Sequence, residues 1–445
     1  MSQFKGLILY LLFFLSVMYT LYYFISGDYF YLHTFIFFNS ILYGFLILIS
    51  TQASKYIKPY LFFVFLYVVI FCVLNNFVSF SYNKNLFVFS ESDAMFYHNV
   101  ANYYKNLSFS SIINQYFNSY NYDDFGIIIV LSLLYKISAS NIILNLFYLV
   151  LTIFIIGYYY NLNRLVLNKL YSLISSVLFI ASPAFVWFTS SGLKELIMIF
   201  LIIAGTYHLI IFLQKNNFSH LTLGVVYLVF LVFLRPVVLI FIIVSFSSYW
   251  LISPKKNIYR NIYLLLMVIV GVASWPILVS IFNSYTGGVA FDLFLQYRKE
   301  SGNIIGGIGF SYVVNILSQV IGPFPDLGLL DKPHLAFYAS TLIVKVFLGF
   351  YFWYSIYLIF RMKHKVLLIL CFFVLIEMVS LAGLLEGLEF RKSFPHFPFF
   401  YVVATYGVLE FNKRRKNFKK LKLYRNLYFI VASGIVIIWN LRGVL

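Results

Sequence analysis

Runs of about twenty apolar residues, separated by short polar turns, recur along most of the chain. A helix needs roughly 20 such residues to cross a hydrocarbon core ~30 Å thick. Runs that fit, fully or nearly, fall near 5–26, 30–51, 59–79, 125–138, 142–160, 171–189, 193–213, 221–252, 261–282, 337–360, 366–385, 395–411 and 426–442. The pattern predicts an all-α polytopic transmembrane bundle of 11–13 helices, with large outer loops carrying short amphipathic helices. The first run has no small-residue cleavage site and is followed at once by another apolar run, so it reads as an anchor and not as a removable signal.

Composition agrees with that reading: 62% of the 445 residues are hydrophobic and 10% charged, against roughly 25% charged in soluble domains. The formal charge of +18 changes the picture only through its placement. Seventeen of the 32 lysines and arginines are Lys5, ahead of the first apolar run, and those of four short turns, at Lys55/Lys58, 255–260, 361–365 and 413–425. Such clustering between apolar runs is the signature of cytoplasmic loops and argues against nucleic-acid binding. The two cysteines, Cys72 and Cys371, both lie in predicted helices and imply packing, not a disulfide framework or a metal pair.

With those turns inside, residues 80–124 form one outer loop, 283–336 a second and 386–394 a small third, while 412–425 is a cytoplasmic basic loop; 1–445 forms a single membrane domain. Eleven of the fourteen acids fall in the outer loops or the first outer turn. Between 125 and 252, five crossings satisfy both ends but put Arg164 and Lys169 outside and "SSGLKE" (190–195) inside. A break at Arg235–Pro236 inverts several of those turns.

The stretch "ESDAMFYHNVANYYKN" (91–106) is rich in ionisable groups for such an apolar chain. Wound as a helix, it gathers Phe96, Val100, Tyr103, Tyr104 and Leu107 on one stripe and Glu91, His98, Asn102 and Lys105 opposite. That describes an interfacial helix with its aromatic side toward the membrane surface. Asp93 and Tyr97 lie at the margin of the apolar face, where a carboxylate meets whatever sits at the lipid boundary; capping of the helix N-terminus by Ser90 or Ser92, with Glu91 or Asp93 answering its dipole, is the plainer reading.

Ionisable groups within apolar runs are costly and tend to face a polar cavity or a charged ligand. Arg235 in "FLRPVV", the Lys194–Glu195 pair and Glu377 in "LIEMVS" are of this kind, Arg235 being the stronger signal; a snorkelling arginine before a helix-breaking proline is the alternative for it, and an ordinary loop ion pair for Lys194–Glu195. Arg298 leads into "ESGNIIGGIGF", a glycine-rich stretch suited to the close approach of an anion. "EGLEFRKSFPHFPFF" (386–400) sets Glu386, Glu389, Arg391, Lys392 and His396 at the mouth of two helices, His396 reading as packed among phenylalanines. No nucleotide-binding, hydrolase or metalloprotease motif is present, and no metal or cofactor is implied.

"SDAMFYHNVA", "PAFVWFTSSGLKE", "LRP" and "FRKSFPHFP", set in a polytopic chain of this length, resemble bacterial membrane glycosyltransferases of surface-polysaccharide assembly. Wzy-type O-antigen and capsule repeat-unit polymerases are similar in layout, and Arg298 and Gly309 match their R-x10-G spacing. GT-C transferases that use polyprenyl-phosphate sugars are similar in carrying an acid in the first outer loop, here Asp93, although Ser92 interrupts the usual acidic pair. The resemblance implies an inner-membrane enzyme that joins undecaprenyl-pyrophosphate-linked oligosaccharides at the periplasmic face, with a chain-length regulator as a further partner. On this reading Asp93, backed by Glu91, acts as base. Arg235, Arg298, Arg391 and Lys194 bind pyrophosphate, Tyr97 stacks on sugar, and His98 lines the site. A lipid-linked oligosaccharide flippase is the rival; it would place its functional charges within helices and keep its outer loops short.

Overall fold

The computed structural model describes residues 30–51, 56–83, 92–117, 122–251, 307–321, 334–387, 389–414 and 419–441, with the single positions 296 and 299. All regular structure among them is helical. The apolar runs at 5–26 and 261–282, the acid Glu91 and the loop arginine Arg298 lie outside the described residues. Six of the described helices are long and apolar enough to cross a membrane, seven if one bent pair counts as a span.

In chain order the first elements are α1 (Phe30–Ser50), α2 (Ile57–Asn83), α3 (Ser92–Tyr104), α4 (Phe109–Phe117), α5 (Tyr122–Tyr135) and α6 (Asn141–Arg164). They are followed by α7 (Lys169–Ile180), α8 (Pro183–Ser190), α9 (Glu195–Lys215), α10 (Phe218–Val229) and α11 (Pro236–Leu251). Last come α12 (Ile308–Ile321), α13 (His334–Met362), α14 (Lys365–Gly383), the single turn α15 (Phe390–Ser393), α16 (Phe397–Arg414) and α17 (Lys419–Leu441).

Charge separates the two ends of this bundle. Asn412 donates to the Tyr171 hydroxyl at 3.2 Å, Arg414 Nη2 lies 3.7 Å from Met362 Sδ, and Lys365 Nζ sits 5.0 Å from the centre of the Tyr249 ring. These contacts bring Arg164, Lys169, Arg361, Lys363, Lys365, Lys413 and Arg414 to one basic end. Asp93, Glu195, Glu386, Glu389, Arg391 and Lys392 share the opposite, acid-rich end, where they pair with one another.

The segment 125–252 therefore does not place its turns as five unbroken runs would. Arg164 and Lys169 stand at the basic end and "SSGLKE" at the acid-rich end, the reverse of the five-crossing arrangement. Two segments account for the difference. First, α5 has 14 residues and at about 1.5 Å each spans about 21 Å, short of the membrane core. It stays with the acid-rich end, where Lys136 donates to Leu107 O at 3.1 Å. Second, 221–252 breaks where the sequence holds Arg235–Pro236. Pro236 opens α11 at a position that needs no N–H, after a 3-10 turn over Phe230–Phe233. Helix α10 leaves the basic end beside Lys215, and α11 returns there to Tyr249 and Lys365, so the pair forms a hairpin that begins and ends at the basic end.

A second irregularity lies under the acid-rich end. α7 and α8 are bent by 53° at Ala181–Ser182, where Ser182 caps α8 by accepting from Phe185 N and Pro183 takes the first helical position. Such a cap contributes about 1 kcal/mol. The turn that follows needs Gly192, whose φ of 75° lies in the left-handed region. Irregular backbone at membrane depth survives only when buried in protein or lining a polar cavity. Every residue from Ser172 to Ile199 is buried. Tyr148 donates to Leu193 O at 2.7 Å, and Asn75 donates to Ser190 Oγ at 3.2 Å.

Candidate functional site

Three chain segments meet at the acid-rich end. Asp93 stands in the first turn of α3, Glu195 in the first turn of α9, and Arg391 in α15. The Arg391 guanidinium donates through Nη1 to Asp93 Oδ2 at 2.5 Å and through Nε to Glu195 Oε1. Its planar fork is what allows one side chain to serve two carboxylates; an ammonium group would be a point charge between them. The acids differ in setting. The Asp93 side chain is 48% exposed and that of Glu195 2%, while Arg391 at 26% lies between them. Burial works against the Arg391 charge, but the Glu195 carboxylate, with Tyr97 and Asp93, more than offsets it and holds the pKa above its ordinary value. Glu195 Oε2 is buried with no hydrogen-bond partner.

The Arg391 segment is anchored on both sides. Phe390 stacks on Tyr338 with ring centres 4.2 Å apart, and Phe394 packs on Phe188 of α8 at 4.3 Å. Ahead of it, Gly387 lies so close to α12 that a Cβ would come within 2.6 Å of Asn315 O. Gly387 N donates to Asn315 Oδ1, and Ser318 Oγ and Gln319 Nε2 both donate to Gly387 O. α12 thus turns its polar side inward to this loop, leaving Phe310, Val313 and Leu317 exposed. Lys392 pairs with Glu386 at 2.6 Å and with Glu389 at 3.2 Å.

α3 is placed by Ala94, Tyr97 and Ala101, which are buried, its main partner being α5; Phe96 and Tyr103 of the expected aromatic stripe are exposed, whereas Val100, Tyr104 and Leu107 are half-buried against the core. Tyr97 is 1% exposed, so its ring has no open face for a sugar, and the stacking role expected of it is corrected to one beside Arg391. His98 lies 2.8 Å through Nδ1 from the Tyr135 hydroxyl. Burial first, and Lys105 second, hold its pKa below the ordinary imidazole value. The unfolded chain therefore binds the proton more readily, and the stability this group contributes is full above pH ~6.5 and lost as pH falls through the folded-state pKa. The melting temperature of the wild-type protein is expected to fall more between pH 7 and pH 5 than that of a His98→Gln variant; parallel curves would show that His98 is not the titrating group.

Lys194 is buried beside Glu195 at the start of α9, and the carboxylate of that pair, not the ammonium, is what meets Arg391. Arg235 stands half-buried at the break before α11 and interacts electrostatically with Glu377. Two groups escaped sequence reasoning. One is Glu195 as Arg391's partner. The other is Lys345 in α13, fully buried, with Nζ 3.0 Å from His396 Nε2. A lysine inside "TLIVKVFLGF" carries the same cost signal as Arg235 and could have been found by it. Both cysteines are buried and free. Among the described residues no three His, Cys, Asp or Glu side chains are grouped as a metal site.

The fold defines a multi-pass helical membrane protein with a carboxylate–guanidinium–carboxylate cluster at its acid-rich end. No family model matches the chain, and neither a curated protein nor a solved structure does.

Proposed function

We propose that this protein is a bacterial inner-membrane glycosyltransferase of the repeat-unit polymerase kind, joining undecaprenyl-pyrophosphate-linked oligosaccharides at the periplasmic face during O-antigen or capsule synthesis. The observation that carries the reading is the partly exposed Asp93 carboxylate held by Arg391 at the end of the bundle opposite the basic turns. By the positive-inside rule that end faces outward, where the reactive C1 of such a lipid-linked sugar lies.

The chemistry asks for two things at one boundary. A carboxylate removes the proton from the attacking sugar hydroxyl as its oxygen bonds to C1. The C1–O bond to pyrophosphate then breaks, and cations take up the charge growing on the leaving group. Asp93 fills the first role. Arg391 has five N–H donors and spends two on Asp93 and Glu195, so it retains donors for the second. Arg235, Lys194 and Arg298 are assigned to the same phosphate path, and His98 to its edge. A GT-C transferase would run the same displacement with a monophosphate leaving group. A chain-length regulator is the partner such a polymerase would take.

A flippase is favoured by one observation, the ionisable groups Lys345 and Glu377 buried within membrane-length helices. Deletion of the gene separates the two. Loss of a polymerase leaves surface lipid capped with single repeat units, whereas loss of a flippase leaves no surface glycan from that pathway. The first outcome is expected, and the second would overturn the enzyme reading.

A further inference from the structure

Below the Arg391 segment lies a buried three-residue bridge that the proposed chemistry does not use. Lys345 of α13 is fully buried, and its Nζ lies 3.0 Å from His396 Nε2 and 4.4 Å from the centre of the Phe397 ring. With Lys345 Nζ donating, His396 Nε2 accepts and the ring proton is left on Nδ1. That nitrogen faces Glu377 Oε2 of α14 at 3.8 Å, and neither atom has another hydrogen-bond partner, while Glu377 also interacts electrostatically with Arg235. The three side chains form a line, lysine to imidazole to glutamate, between two membrane-length helices.

Burying such charges is expensive. Apolar side chains of similar volume commonly serve stability as well or better. What the bridge does provide is a defined position for His396, the last residue of the 3-10 turn Phe394–His396. That turn follows α15 directly, five residues from Arg391. Upstream, the segment is fixed by Asn315, Ser318 and Gln319 on Gly387, and Gln319 Nε2 also donates to Ser393 Oγ at 3.2 Å. Downstream, His396 is its polar anchor. A guanidinium that must meet two carboxylates from two other helices has little tolerance, and a misplacement of about 1 Å at a reacting centre costs on the order of a hundredfold in rate.

We infer that Lys345, acting through His396 and Glu377, is a positioning residue that sets Arg391 between Asp93 and Glu195. The inference rests on the proposed function only for its activity readout. The test uses the full chain in nanodiscs, with Cys72 and Cys371 replaced by Ala and a spin label at Glu389→Cys, within the Arg391 segment. K345M/E377M removes both charges, and K345E/E377K rebuilds the bridge with its polarity reversed, the imidazole changing tautomer to suit. For K345M/E377M the expected result is a melting temperature equal to or above that of the parent, a more mobile label and polymer formation down about a hundredfold. K345E/E377K is expected to restore the parent label spectrum and at least a tenth of the polymer, while K345E and E377K alone do not. An unchanged label spectrum in K345M/E377M overturns the inference. So does a K345E/E377K protein that folds with a label still mobile when R235Q removes the cation facing position 377, even where K345M/E377M does not fold. If the label behaves as expected but the parent protein makes no polymer, the reading of function fails and the bridge stands.

Discussion

Replacing Arg391 with Met is expected to lower the melting temperature sharply, and replacing Glu195 with Gln in the same chain to recover most of the loss. Arg391 contacts the Glu195 carboxylate, whose side chain is 2% exposed and whose second oxygen already lacks a hydrogen-bond partner. Removing one member of a buried pair leaves an uncompensated charge and costs roughly 3–5 kcal/mol, whereas removing both often costs little. The Asp93 side of the cluster adds little to that figure, since a pair with a half-exposed acid contributes at most about 1 kcal/mol. R391K is expected to fall between, because an ammonium cannot present a planar fork to two acids at once. Thermal melting of R391M, E195Q and R391M/E195Q as a double-mutant cycle gives the coupling directly. Additive effects in that cycle would mean that Arg391 and Glu195 do not depend on each other.

The same pair shows where sequence reading reached its limit. Apolar runs located all six described helices long enough to cross a membrane, because length and hydropathy are local properties of the chain. They could not tell a crossing from a return. The run 221–252 is long enough to span, yet α10 and α11 turn back at Arg235–Pro236, and 171–189 carries a 53° bend at Ser182–Pro183. In both places the break is written as a polar residue followed by proline, a signal as strong as the apolar run that conceals it. Asp93 and Arg391 were legible as ionisable groups at helix mouths. Their meeting, across 298 positions of sequence, was not. Lys194 drew attention away from Glu195 because a helix start fixes which of two adjacent side chains turns toward a neighbour, and that start depends on the Gly192 turn.

Replacing Asp93 with Asn is expected to leave the fold intact and abolish polymer formation. The two halves of that expectation have different origins. Asn has nearly the same shape, keeps an oxygen that can accept from Arg391 Nη1, and sits where the side chain is half-exposed, so the melting temperature should move by only a few degrees at most. An amide cannot take a proton from a sugar hydroxyl, and loss of a general base commonly costs 10²–10⁴-fold in rate, about 3–5 kcal/mol of barrier. Surface polymer measured at matched protein levels, beside the melting curve of the purified variant, separates the two. Full-length polymer from D93N would remove Asp93 from the chemistry and leave it as a surface partner of Arg391. A large drop in melting temperature would show that the acid is structural in the first place. D93E tests the geometry between these extremes. It keeps the base but moves the carboxylate outward by one methylene, so partial activity with an unchanged fold is expected if Arg391 sets where the proton is taken.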